Sequence, residues 1–172
     1  MNVRPIPFAL SVLGLLALQI AVLNQVSLGG LARPFVYPML ILVLPFGFSR
    51  AGALGLAFVA GLLLDAFSDT PGLHAAALVL LTFLRPHIAG MLTPKGGYEA
   101  SDAPRIGSLG PVWFVAYSGL LLLAHHTMLF GLEAFSFAGF GRTLARILLS
   151  TLVSLSLVVL LEYLFGPRPK RR

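Results

Sequence analysis

This sequence contains few charged residues and no cysteine. Only 10% of its 172 residues are Asp, Glu, Lys or Arg, whereas a soluble domain carries roughly a quarter. Apolar residues make up 58%, and the mean hydropathy is +0.93. These values exclude an ordinary soluble globule and a disordered chain. Without cysteine, a disulfide scaffold and a thiolate metal or redox site are excluded as well.

The sequence also lacks the motifs of common catalytic sites. It has no P-loop, GxSxG or HExxH pattern. Asp65, Asp69 and His74 lie within ten residues of one another, but one loop supplies too few ligands for a metal ion. Only the adjacent pair His125 and His126 favours a membrane enzyme. We therefore predict a protein that is not an enzyme, with no cofactor and no metal.

Basic residues outnumber acidic ones, and the net charge is +6. A nucleic-acid interface needs clustered basic residues on a folded polar surface, and the sequence has no such surface. In an apolar chain a basic excess marks the membrane surface instead. We interpret the one basic run as a cytoplasmic anchor on anionic membrane lipid, with no nucleic acid as partner. Its members are Arg168, Lys170, Arg171 and Arg172.

The apolar stretches are continuous, which predicts helices. A membrane barrel would alternate apolar and polar residues, and only helices and closed barrels satisfy their backbone in hydrocarbon. The expected fold is all-α, a polytopic integral membrane helical bundle of about six spans, forming a single domain over residues 1–172. The predicted spans are 8–28, 34–48, 51–65, 73–92, 112–130 and 143–165, with a cytoplasmic loop at 93–110 and a basic tail at 166–172.

The second and third predicted spans are short. A full crossing needs about 20 residues, and both spans are shorter than that. Pro38 and Pro45 can also bend the second span. Two interpretations stay open at this point. Each stretch is a short span extended by its flanks, or the two together form a re-entrant hairpin.

The basic residues also predict the orientation. With six spans, nine Lys and Arg residues fall on the side that holds both termini, and two, Arg33 and Arg142, fall on the other. Short loops rich in Lys and Arg stay in the cytoplasm, so both termini are predicted to be cytoplasmic. The nine are Arg4, Arg50, Arg85, Lys95, Arg105, Arg168, Lys170, Arg171 and Arg172.

The third span carries small residues on one face. Ala53, Ala57 and Gly61 follow at four-residue spacing, and Asp65 continues the row. Small residues at this spacing let another helix approach closely. The pattern predicts that Asp65 points into the bundle or towards a partner. The alternative is a capping or solvated charge beside the polar turn that follows.

Three further polar residues are predicted to make contacts inside the membrane. Gln19 can hydrogen-bond to a neighbouring helix, and His126 is expected to do so as a neutral side chain. Arg146 stands near the start of the last span. It either pairs with Asp65, Asp69 or Glu133, or extends to the membrane surface.

One segment resembles a known family. Residues 61–77 read GLLLDAFSDTPGLHAAA, and this stretch is similar to the most recognisable segment of the bacterial rod shape-determining MreD family. In that family an apolar span containing glycine ends in an aspartate, and a short turn with proline or serine and glycine follows. The short proline-bearing second span and the basic carboxyl terminus resemble it too. Gly61, Asp65, Pro71 and Gly72 match the motif.

The resemblance implies a function and a location. MreD-like proteins sit in the bacterial cytoplasmic membrane with MreC, a single-span protein. They help to connect MreB filaments to the RodA glycosyltransferase and its penicillin-binding transpeptidase. The matching motif would then shape the outer turn and the contact with MreC. The family's fold is also similar to the membrane-embedded substrate-binding components of energy-coupling-factor vitamin transporters, so such a component is the alternative.

Overall fold

The computed structural model describes residues 5–99, 102–135 and 139–167. These residues form helices and connecting segments with no β-strand among them, as the apolar pattern predicted. The helices are α1 (Pro5–Ala21), α2 (Met39–Leu42), α3 (Arg50–Ser68), α4 (Leu73–Met91), α5 (Ile106–Leu109), α6 (Pro111–Ala134) and α7 (Phe140–Phe165), and a 3₁₀ turn at Leu23–Gln25 extends α1. Arg4 and the basic residues from Arg168 onward lie outside the described residues.

In the described part of the chain, five helices are long and apolar enough to cross a membrane. They are α1 with its 3₁₀ turn, α3, α4, α6 and α7. All five correspond to predicted spans, with ends shifted by a few residues. Local chemistry sets several of these ends. The hydroxyl of Ser49 accepts the Gly52 N–H at the start of α3, and α6 begins with Pro111, whose missing N–H is not needed in the first turn.

The second predicted span differs from the structure. Within 34–48 the only helix is the four-residue α2, which corrects the continuous helix expected there. Pro34 and Pro38 stand before or at its start and Pro45 stands after it. Proline lacks an N–H donor and disfavours helix in the preceding residue. Helix α3 runs unbroken over 19 residues and is thus longer than the stretch predicted as the third span.

Contacts between helices define two ends of the bundle. At the end that we call terminal, the ring of Phe8 lies 6.5 Å from that of Phe48. At the opposite, distal end, the amide of Asn24 donates to the hydroxyl of Ser68 over 3.1 Å. Helices α1 and α3 therefore both run from the terminal end to the distal end. The chain between them, residues 26–48, returns from the distal end to the terminal end, and we call it the crossing segment.

The middle of the crossing segment, residues 34–44, lies inside the bundle. Tyr37, Ile41 and Leu42 are completely buried. At the terminal end the Phe46 N–H donates to the Asp102 carbonyl over 2.8 Å, and the Phe46 ring stacks on Tyr98 at 4.3 Å. Non-helical backbone at membrane depth is tolerated only where protein surrounds it. The burial of this segment meets that requirement.

Candidate functional site

Asp65 caps the helix that follows it. One carboxylate oxygen accepts the His74 N–H at 2.9 Å and the Thr70 hydroxyl at 2.5 Å, and the other accepts the Ala75 N–H at 3.0 Å. These two N–H groups belong to the first turn of α4, where no carbonyl of the helix can reach them. A carboxylate at a helix start is also favoured by the helix dipole. Asp65 therefore ties the end of α3 to the start of α4.

Gly61 allows the same two helices to touch. A Cβ atom at this position would lie 2.6 Å from the backbone nitrogen of Ala75, which is too close for any side chain. Ala53, Ala57, Gly61 and Asp65 are all buried within this chain. The small-residue row is thus used by the packing of the chain itself.

The turn between α3 and α4 holds the rest of the motif. Gly72 precedes the first residue of α4 with a φ of +83°, a conformation that favours glycine. Pro71 is exposed beside it. The motif residues that the sequence singled out therefore come together in one structural unit, a tight helical hairpin whose turn is at the distal end.

A tyrosine in the crossing segment joins two histidines. The hydroxyl of Tyr37 lies 3.0 Å from Nδ1 of His74 and 2.6 Å from Nε2 of His125. A hydroxyl has one proton, so it donates to one ring and accepts from the other. All three side chains are buried. The ring of Phe35 packs edge-on against His74 and His125, at 5.6 and 6.2 Å.

Side chains of α1 and α7 bind the backbone of the crossing segment. Gln19 accepts the Val36 N–H at 2.9 Å and donates to the Pro34 carbonyl at 3.2 Å. On the other side Ser154 accepts the Phe35 N–H at 2.9 Å and Ser150 accepts the Arg33 N–H at 3.0 Å. Because this backbone forms no helix, these side chains supply the partners that it needs.

His126, on α6, contacts one of the serines that bind the crossing segment. Its Nδ1 lies 2.6 Å from the Leu122 carbonyl, and its Nε2 lies 3.3 Å from the hydroxyl of Ser154. The hydroxyl of Thr151 is 3.3 Å from Nδ1. His126 is thus a completely buried contact between α6 and α7, next to the serine that holds the crossing segment.

A second group of side chains binds the backbone of the crossing segment nearer the terminal end. The Arg85 guanidinium donates to the Leu44 carbonyl, and its Nε donates to the Tyr117 hydroxyl at 2.9 Å. Tyr117 in turn donates to the Leu42 carbonyl at 3.1 Å. Arg85 is one of the nine basic residues assigned to the side of the termini, and only 7% of it is accessible. Its charge lies inside the bundle and caps the end of α2.

Arg146 pairs with one of the three acids that the sequence offered. Its guanidinium lies 3.0 Å from a carboxylate oxygen of Glu133 and 4.5 Å from the centre of the Phe130 ring. Asp65 is occupied by the start of α4, as described above. The pair joins the distal ends of α6 and α7 at the surface.

Two concave surfaces accompany these contacts. A polar cavity of about 260 Å³ opens at the distal end between the 3₁₀ turn, the α3–α4 turn and α6, and its lining includes Arg33, Phe35, Asp69, His74 and Glu133. A shallow apolar groove of about 500 Å³ runs along α4 and α6. The groove is lined by Leu80, Leu120, Leu123, Ala124, Thr127, Met128, Gly131 and Leu132.

The cavity is lined by only some of the polar residues that the sequence singled out. Asp69 and His74 line it, whereas His126 and Arg146 are not among its lining residues. Over the described ranges, no group of three or more His, Asp or Glu residues is placed to hold a metal ion.

Sequence reasoning missed Tyr37 and Tyr117 as members of the polar clusters. Both tyrosines stand in apolar surroundings in the sequence, and no local pattern distinguishes them from other aromatic residues. Arg85 carried a signal that could have been followed. A charged residue within an apolar helix is a candidate for a buried contact by default, and Arg85 stands between Leu84 and Pro86 in such a helix.

Comparison of the chain with protein-family models, with curated proteins and with solved structures found no significant match.

Proposed function

We propose that this chain is a non-enzymatic subunit of the bacterial cell-elongation (rod) complex in the cytoplasmic membrane. It would maintain cell shape by binding an MreC-like single-span protein, and so help to couple MreB filaments to peptidoglycan synthesis by RodA and its penicillin-binding transpeptidase. Support comes from the resemblance of residues 61–77 to the MreD family. The hairpin that these residues form gives the motif a structural role.

One observation carries the proposal. Several buried polar side chains of the bundle hold its own backbone in place. Gln19, Ser150 and Ser154 bind one part of the crossing segment, and Arg85 and Tyr117 bind another. An enzyme would need such groups directed at a substrate. Their use on backbone favours a rigid scaffold that presents a fixed surface.

The distribution of charge supports a cytoplasmic position for both termini. Arg50, Lys95 and Arg105 belong to the terminal end, whereas Arg33 and Arg142 belong to the distal end. The basic side of a membrane protein faces the cytoplasm. In this proposal the five long helices and the crossing segment give six passages through the membrane, and the distal end faces outward.

The proposed partner contact lies on the groove between α4 and α6. The small-residue row of α3 is already buried inside the chain, so it is not available. Ala124, Thr127 and Gly131 repeat at spacings of three and four residues along the groove, which allows close approach of a helix. A Cβ atom on Gly131 would meet nothing within 4 Å, so the packing of this chain does not require glycine there.

Co-purification tests the proposal. A tagged chain expressed with an MreC-like protein is expected to retain it, and Gly131→Leu is expected to lose it because the larger side chain fills the groove. Gly14→Leu is the matched control, since Gly14 is also open but lies on α1. A clean preparation without partner, together with normal cell shape after depletion of the chain, would contradict the proposal.

The alternative is a membrane-embedded substrate-binding component of an energy-coupling-factor vitamin transporter. The polar cavity at the distal end favours it, because such a component needs an outward cavity with converging polar groups. Two observations separate the alternatives. A transporter component is expected to co-purify with an ATPase module and to be encoded near one, whereas the scaffold subunit is expected beside an MreC-like protein.

A further inference from the structure

The polar cavity at the distal end has the features of a small-ligand site. Its volume is about 260 Å³, slightly below the range of about 300–1,000 Å³ that is typical of sites for drug-sized ligands. One part of its lining is aromatic and consists of Phe35, Phe67 and Phe130. Eight of the 14 lining residues are polar or charged, so the cavity offers both apolar contacts and hydrogen-bonding groups to a ligand.

Two opposite charges, on the exposed residues Arg33 and Asp69, line this cavity. Within the ranges that the structure describes, neither the Arg33 guanidinium nor the Asp69 carboxylate forms an ion pair or side-chain hydrogen bond. The third charged residue of the lining, Glu133, is neutralised by Arg146. The charged groups of the lining without an ion-pair partner among the described residues are therefore one cation and one anion.

His74 forms part of the wall and connects the cavity to the buried cluster. Its Nδ1 is engaged by Tyr37 and its backbone N–H by Asp65. These contacts hold His74, and with it this part of the wall, in one position. A site whose lining is fixed in advance binds its ligand without the cost of ordering it.

We propose that this cavity binds a small zwitterion with an apolar side chain, of the size of a free amino acid. Arg33 takes the ligand carboxylate, because guanidinium and carboxylate form paired hydrogen bonds. Asp69 takes the ligand ammonium group. The three phenylalanine rings surround the apolar side chain. This inference depends neither on the scaffold role nor on a role in transport.

The test is direct binding of aromatic and branched-chain L-amino acids to the full-length chain in detergent micelles, by calorimetry. At least one is expected to bind at millimolar concentration or below. Arg33→Ala and Asp69→Ala are each expected to weaken binding by about tenfold or more, which corresponds to about 1.4 kcal/mol. Arg142→Ala is the matched control, because Arg142 is an exposed arginine near the distal end that does not line the cavity.

Modified ligands test the two charges separately. If L-phenylalanine binds, its amide should lose the contribution of Arg33, and N-acetyl-L-phenylalanine should lose that of Asp69. Failure of every aromatic and branched-chain amino acid to bind would overturn the inference. Unchanged affinity in either Arg33→Ala or Asp69→Ala would also overturn it. The result is separate from the co-purification test, which does not use the cavity.

Discussion

Gln19 binds the backbone on both sides of Phe35. Its side-chain oxygen accepts the N–H of Val36 at 2.9 Å and its side-chain nitrogen donates to the carbonyl of Pro34 at 3.2 Å. A side-chain amide has both a donor and an acceptor, so one residue serves the N–H and the carbonyl of an extended stretch at once. Gln19 is completely buried in this position.

Replacement of Gln19 should therefore destabilise the bundle. Gln19→Leu introduces an apolar side chain of similar size and leaves the Val36 N–H buried without a partner, which costs about 1–3 kcal/mol. We expect unfolding in detergent at a correspondingly lower temperature or SDS fraction. Gln25→Leu is the control, because Gln25 is exposed and should tolerate the change. Equal stability of the two variants would show that Gln19 does not hold the crossing segment.

Two glycines of α3 should respond in opposite ways to the same substitution. Gly61→Ala places a Cβ atom against the backbone of Ala75, and such overpacking costs about 1–3 kcal/mol. Gly55→Ala meets nothing within 4 Å, and alanine in a helix is more stable than glycine by about 0.5–1 kcal/mol. Thermal unfolding of both variants in the same detergent measures the difference. A neutral Gly61→Ala would contradict the close contact of α3 and α4.

Two aspartates four residues apart should also differ. Asp65→Asn replaces a carboxylate oxygen that accepts a backbone N–H with a group that cannot accept one, so a loss of about 1–3 kcal/mol is expected. Asp69 is exposed with a φ of +51°, which asparagine also adopts. Asp69→Asn should change stability by no more than about 0.5 kcal/mol. If both substitutions have the same effect, the capping role of Asp65 is refuted.

The orientation can be measured without removing any native thiol, since the sequence contains no cysteine. Lys95→Cys places a thiol in the loop at the terminal end and Arg142→Cys places one at the distal end. In intact cells a membrane-impermeant maleimide should label the second variant only. Labelling of Lys95→Cys should require permeabilised cells, and the reverse pattern would place both termini outside.

The long helices could be predicted from the sequence because their cause is local. Uninterrupted apolar stretches determine α3, α4, α6 and α7, and the positions of Ser49 and Pro111 set two of their starts. Prolines in 34–48 indicated that this stretch would bend. The extent of the break could not be predicted, since an irregular backbone is stable there only through Gln19 and other side chains that are distant in sequence.

The partners within the site depend on the three-dimensional arrangement. Arg146 had three acidic residues as candidate partners, and only the position of α7 beside α6 selects Glu133. Asp65 could equally have faced a partner protein or solvent, and it faces the start of α4 instead. The residue types alone predicted which side chains would form polar contacts. The identity of each contact required the packing of the helices.

Most side chains that hydrogen-bond to the backbone of the crossing segment are synthesised after the segment itself. Phe35 is bound by a serine 119 residues later in the chain, and Arg85 follows Leu44 by 41 residues. In the proposed arrangement of six passages, residues 33–46 would therefore enter the membrane with Gln19 as their early partner and without α7. A chain that ends before α7 should leave this stretch open to membrane proteases. Pulse-chase measurement of its lifetime against the full chain tests this order of assembly.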